Sequence, residues 1–256
     1  MGGYILCQVR RANHPYYIES IGLNIYSIEE LCYFMCRNLP LLDETVLNER
    51  LVDWLKGELH LRRLTQKLEL LTQKSFSVRD FMIPILREIN YLSSTEFREL
   101  EQKMAMLEEQ PLPVRLKKKG DALVSHKKYI KAIEAYAATM ALKKEEELGS
   151  QFLGSVHNNM GCAYARLFQM DEACDCFRQA YEELHTLATL KSYLFAIYMK
   201  DGEEAYEKTA EELGVDAATR AEMDCQIAAV SPEGVPDNLD QALAEWTREY
   251  HRNTGL

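Results

Sequence analysis

The chain has 256 residues, 47% of them hydrophobic and 27% charged, a composition that can bury the core of one large domain or two ordinary ones. No apolar run approaches the ~20 residues that span a bilayer, and Met1 to Val9 lacks the basic region and long apolar stretch of a signal peptide. The net charge of −10 is concentrated in residues 201–256, with 4 basic and 14 acidic side chains, whereas 113–200 carry 13 and 10; nucleic acid is therefore not the expected partner, because phosphate binding needs a concentrated basic face.

The first 25 residues are the least helical. Tyr4 to Val9 and Tyr16 to Ile18 are rich in strand formers, with Asn13, His14 and Pro15 as turn material between them, so either a short N-terminal β-hairpin or an extended segment lying over the helices is expected. Ser27 with Glu30 reads as a capping box opening a helix to about Cys36. Asp43 is placed to cap the next helix, where Val46, Leu51, Trp54 and Leu55 repeat at helical spacing, and Leu59 to Leu71 continue the pattern. Ser77 with Asp80 starts another helix, kinked or restarted at Pro84, and Ser93 with Glu96 starts one running to about Glu109. Pro111 and Pro113 break the pattern and set the expected boundary between an N-terminal helical domain, 1–112, and a second region, 113–256.

After Pro113 the chain repeats itself. Gly120, Ala132, Tyr136 and Thr139 recur 41 residues later as Gly161, Ala173, Phe177 and Ala180. In a helical hairpin the small residues let two backbones approach, and the aromatic fills the space beside the crossing. The segments KGDALVSHKKYIKAIEAYAATM, 119–140, and MGCAYARLFQMDEACDCFRQAY, 160–181, resemble the tetratricopeptide repeat family. The period exceeds that family's ~34 residues, which implies about two extra helical turns near Ala141 to Gln151; Leu116 and His157 replace the usual Trp. Lys191 to Lys200 and Glu203 to Leu213 read as two helices of a degenerate third copy, followed by helices over Asp216 to Val230 and Asn238 to His251 around the Pro232/Pro236 loop. Such ends act as caps. The fold expected is all-α: an N-terminal helical bundle followed by a tetratricopeptide-like solenoid.

The resemblance implies a concave groove for a peptide or protein, lined by Lys117, Asp121 and Val124, then Asn158, Asn159, Cys162 and Arg166, then Lys191, Leu194 and Tyr198. Lys117, Asn159 and Lys191 resemble part of the clamp with which one subfamily holds a C-terminal carboxylate. Asp121 stands where that clamp has Asn, and Leu187 where it has Lys. An aspartate there repels a carboxylate unless it is paired or protonated. The Lys117–Lys119 run itself reads as solvated helix surface.

No GxSxG, HExxH, P-loop or GxGxxG is present, and the histidines at 14, 60, 126, 157, 185 and 251 stand apart from Cys, Ser and acidic partners in the sequence. The Glu145–Glu147 run reads as solvated helix. Seven scattered cysteines, an odd number, read as buried reduced thiols, without zinc-site spacing. Gly2 is followed by Leu6 where a myristoylation motif needs Ser or Thr. The expectation is a cytoplasmic binding scaffold or adaptor, not an enzyme, with no cofactor, no metal and no membrane partner. A peptide-responsive regulator or a structural subunit of a complex are its alternatives.

Overall fold

The computed structural model describes residues 10–72, 77–142, 148–229 and 238–254. The expectations for Tyr4–Val9, for Glu145–Glu147 and for the Pro232/Pro236 loop lie outside them. The described residues are predominantly helical, with one two-stranded sheet, and divide into two compact units, Met1–His126 and Lys127–Leu256.

In the first unit, strands β1 (Tyr16–Ile18) and β2 (Leu23–Ile25) pair antiparallel. The hairpin is thus closed within residues 16–25, with Gly22 taking φ of 65° in the turn and donating its N–H to the Ile18 carbonyl at 2.9 Å. Alternation sends Tyr16, Ile18 and Ile25 inward and leaves Tyr17 exposed. Tyr16 then donates its hydroxyl to the Val46 carbonyl at 2.8 Å, and Trp54 donates its indole N–H to the His14 carbonyl at 2.8 Å. Each aromatic buries its ring and satisfies its polar tip.

Five helices follow before the proline pair: α1 (Ile28–Arg37), α2 (Glu49–Gly57), α3 (Arg62–Thr72), α4 (Val78–Glu88) and α5 (Ser94–Glu108). Ser27 caps α1, but Glu30 reaches back to the Tyr26 N–H at 2.6 Å, so the reciprocal box is displaced by one residue. Reciprocal boxes do form at Ser77/Asp80 and Ser93/Glu96. Asp43 does not cap α2. Its carboxylate accepts from the backbone and hydroxyl of Thr45, while Asn48 supplies the cap, accepting from the Leu51 N–H at 3.2 Å. The leucine pattern from Leu51 to Leu71 is two helices, broken at His60, whose φ is 58°. α4 continues through Pro84. Phe81, Met82, Ile85 and Leu86 are buried on both sides of the proline, and burying four such side chains at about 1.5–3 kcal/mol each outweighs a break of about 3 kcal/mol.

α6 (Leu112–Ser125) begins at the proline pair, with Pro113 in its first turn, where a missing N–H costs nothing. It packs on a 3-10 turn at Leu39–Leu41 and belongs to the first unit. Lys119 meets Asp43 at 2.6 Å, and His126 at its end meets the Asn38 side chain at 2.7 Å.

The second unit holds α7 (Tyr129–Ala141), α8 (Ser150–Arg166), α9 (Met170–Leu184), α10 (Leu187–Asp201), α11 (Glu203–Glu212), α12 (Ala217–Ala229) and α13 (Leu239–Thr254). α8 and α9 run antiparallel: Gly154 faces Leu184, and seven residues further along α8, Gly161 faces Phe177, seven residues back along α9. A Cβ on Gly161 would lie 2.9 Å from the Phe177 ring, which is the close approach expected from the repeat. α9 packs on α10, and Ala173, Phe177, Leu190, Leu194, Tyr206, Ala210 and Met223 join α9 to α12 in one core.

The 41-residue spacing extends to the backbone. α6 ends at Ser125 and α7 begins at Tyr129; α8 ends at Arg166 and α9 begins at Met170. Lys127 and Phe168, at equivalent places in those turns, have φ of 57° and 58°. α8 starts one turn earlier than α6 does in this register, so part of the added length is helix. No helix among the described residues is long and apolar enough to cross a membrane.

Candidate functional site

One stripe of α8 is left facing outward. Gln151, Ser155, Asn158, Cys162 and Arg166 recur at steps of three and four residues, all exposed or half-buried, while Leu153, Val156 and Ala163 on the other side are buried. The stripe is polar apart from the Cys162 thiol. Asn158 donates to the Asn159 side chain at 3.4 Å, and Arg166, at the C-terminal end of the helix, makes no ion pair among the described residues. Packing around the Cys162 sulfur raises its thiol, and the nearby Arg166 charge partly offsets that.

Beneath the stripe, the helix is held in place from α9. His157 is buried and its Nδ1 lies 2.9 Å from the Glu183 carboxylate. In the sequence that histidine had no acidic neighbour; the antiparallel hairpin brings Glu183 to it across 26 positions. His14 likewise meets Glu58, whose carboxylate also accepts from the Asn13 and His14 backbone at 2.9 and 3.1 Å. These donors hold the Glu58 carboxyl below its ordinary range.

On α10 Ala188 and Met199 are exposed and Ser192 is half-buried, whereas Phe195 and Tyr198 are half-buried and pack against the core, with Lys191 beside them. Leu194, expected in the groove, is fully buried in the core of the unit. Leu194 packs among Phe177, Ile197 and Tyr206, and the half-buried Phe195 packs against the same core. Tyr198 stacks edge-on against Tyr206 with ring centres 6.0 Å apart. The Tyr206 hydroxyl donates to Asp224 at 3.0 Å, and burial and that carboxylate push its phenol up to about 12.

Of the three basic groove residues, the two lysines already have carboxylates. Lys191 is mostly buried and meets Glu222 of α12 at 2.6 Å. Lys117 meets Asp121, one turn on along α6, at 2.9 Å, so the aspartate neutralises the lysine beside it. Lys117, Asp121 and the half-buried Val124 stand in the first unit; Asn158, Asn159, Arg166, Lys191 and Tyr198 stand in the second. The Lys117–Lys119 run is not a solvated surface, since all three side chains are half-buried and two are ion-paired.

The first unit also contains a cleft of about 190 Å³ that no sequence pattern announced, lined by Leu39, Pro40, Leu42, Val78, Met104, Leu107, Leu112 and Leu116, with Asp43, Glu108, Arg115 and Lys119 around them. It is smaller than the ~300–1,000 Å³ of ordinary small-molecule pockets. Its walls come from four separated segments, so only folding assembles it. No group of three or more His, Cys, Asp or Glu side chains among the described residues could hold a metal ion.

No family model, no curated protein and no solved structure matches this chain.

Proposed function

We propose that the second unit is a tetratricopeptide-like interaction module, and that the protein is a scaffold or adaptor binding a peptide or protein partner along the outward faces of α8 and α10. The observation that carries this reading is the α8 stripe. Four polar side chains and the Cys162 thiol stand in one line, held outward by a buried glycine–aromatic contact and by His157–Glu183. A rigid helix bearing amide, hydroxyl and guanidinium groups suits the backbone amides of an extended peptide and one acidic side chain beside Arg166.

A C-terminal carboxylate clamp is not part of the proposal. Lys117 and Lys191 each hold a carboxylate of the chain itself, and a ligand would have to displace it. The six described cysteines are free thiols, which supports a reducing compartment such as the cytoplasm.

The test is affinity capture from native lysate with wild type and an Asn158→Ala/Arg166→Ala pair. Both residues lie on the exposed side of α8, so the fold is expected to survive. The expected result is selective loss of the partners that wild type retains. An unchanged set of captured proteins would remove α8 from the binding surface.

A further inference from the structure

α13 has no buried residue among its described side chains, yet its sequence is strongly amphipathic. Leu239, Leu243, Trp246 and Tyr250 are 46%, 48%, 50% and 56% exposed. Their spacing of four, three and four residues puts them on one line along the helix. Within its own unit the helix is tied down near its C-terminal end, where Lys127 meets Glu249 at 3.4 Å and Lys128 donates to the Arg252 carbonyl. Four large apolar side chains in a single exposed row are the mark of an interface.

The row reads the same from both ends, and its sizes do not. Leucines occupy the first half and aromatics the second. Two such helices placed antiparallel about a two-fold axis set Leu239 against Tyr250 and Leu243 against Trp246 of the other copy. Every layer then holds one aliphatic and one aromatic side chain, which packs without voids. A parallel pair would instead crowd Trp246 on Trp246 and leave gaps between leucines.

The charges agree with the antiparallel arrangement. Asp240 and Glu245 lie toward the N-terminal half, and Arg248 and Arg252 lie toward the C-terminal half. Reversal brings Asp240 alongside Thr247 and Arg248 of the second copy, and Glu249 opposite Ala242, so no like charges face each other. It also opposes the two helix dipoles. We propose that α13 is a homodimerisation helix, pairing antiparallel with α13 of a second copy of this chain through Leu239, Leu243, Trp246 and Tyr250. An interface this short belongs among the small ones, so a dissociation constant near the micromolar range is expected.

Sedimentation equilibrium of the full chain between about 1 and 100 µM tests this. The expected weight-average mass rises from 29.6 kDa toward twice that value. Trp246 is one of two tryptophans and Trp54 is already buried, so the emission should shift to the blue over the same concentration range. Leu243→Glu and Trp246→Lys should each weaken self-association at least tenfold. Mixed in equal amounts they should recover it, because antiparallel pairing joins Glu at 243 to Lys at 246 and leaves the other Leu243–Trp246 layer intact. A chain that stays monomeric throughout overturns the proposal, whatever other protein or lipid surface covers the row. So does a dimer indifferent to the two substitutions, or a mixture that fails to regain the dimer.

Discussion

At Gly161 a single hydrogen atom decides how closely α8 and α9 pack. The helix would gain about 1 kcal/mol in propensity from an alanine there, but the new Cβ would meet the buried Phe177 ring at 2.9 Å. Overpacking of that kind costs about 1–3 kcal/mol, and the ring is held by neighbours on α10 and α11. Gly161→Ala should therefore destabilise the chain by about 1 kcal/mol, and Gly161→Ala/Phe177→Leu should recover part of it. Gly57 is the control. Nothing lies within 4 Å of a Cβ there, so Gly57→Ala should stabilise by about 0.5–1 kcal/mol. Urea titration of the four proteins measures both signs. A stabilising Gly161→Ala would mean that α8 and α9 do not approach as closely as described. The glycine and its aromatic partner were legible in the sequence because a repeat displays them twice. The burial of Leu194 was not, because the echo from Gly120 to Ala180 does not extend to α10, and on a helix one residue is a rotation of about 100°.

Elements meet through charges that the sequence keeps far apart. Asp43 and Lys119 are separated by 76 positions and join the segment after the 3-10 turn to α6. Partial burial alone would raise the Asp43 carboxyl, but hydrogen bonds from Lys119 and Thr45 outweigh it and hold the group below its ordinary 3.8. A carboxyl lowered by folding stabilises above its unfolded value, and that contribution disappears as pH falls through the folded one. Both side chains are about one-third exposed, so solvent screening limits the pair to about 0.5–1 kcal/mol. Lys119→Met should lose that amount at pH 7, and its deficit against wild type should shrink as pH falls below 3.8. Denaturation at pH 7 and in that acid range reads the difference, and an equal deficit at both would detach Asp43 from the effect. Helix starts were readable from Ser77/Asp80 and Ser93/Glu96, since a cap is a local hydrogen bond between residues three apart. The continuity of α4 through Pro84 was not, because burial of Phe81 and Leu86 against other helices overrides a local signal.

At the scale of the whole molecule, the described thiols report which surfaces are covered. Cys162 and Cys225 are exposed; Cys32, Cys174 and Cys176 are buried and Cys36 half-buried. Burial pushes Cys36 and Cys176 up to about 11, and raises Cys32 further. Only the thiolate alkylates readily. Among the six described cysteines, a maleimide time course at neutral pH, mapped by peptide mass spectrometry, should label Cys225 first and Cys162 more slowly. Cys32, Cys36, Cys174 and Cys176 should react only on unfolding. Rapid native labelling of Cys32 would show that the inner face of α1 is not covered.

The sequence by itself determined the helical class, the places of α10 to α13, the capped starts of α4 and α5, and the 41-residue echo from Gly120 to Ala180. All of these rest on interactions between residues a few positions apart, or on periodicity. Only the tertiary structure decided that Tyr16–Ile18 pairs with Leu23–Ile25, that His157 meets Glu183, and that Lys191 is tied to Glu222. It alone left the row on α13 in solvent. Each of those outcomes depends on what a neighbouring element covers, and a helical pattern says which residues share a face without saying what that face meets.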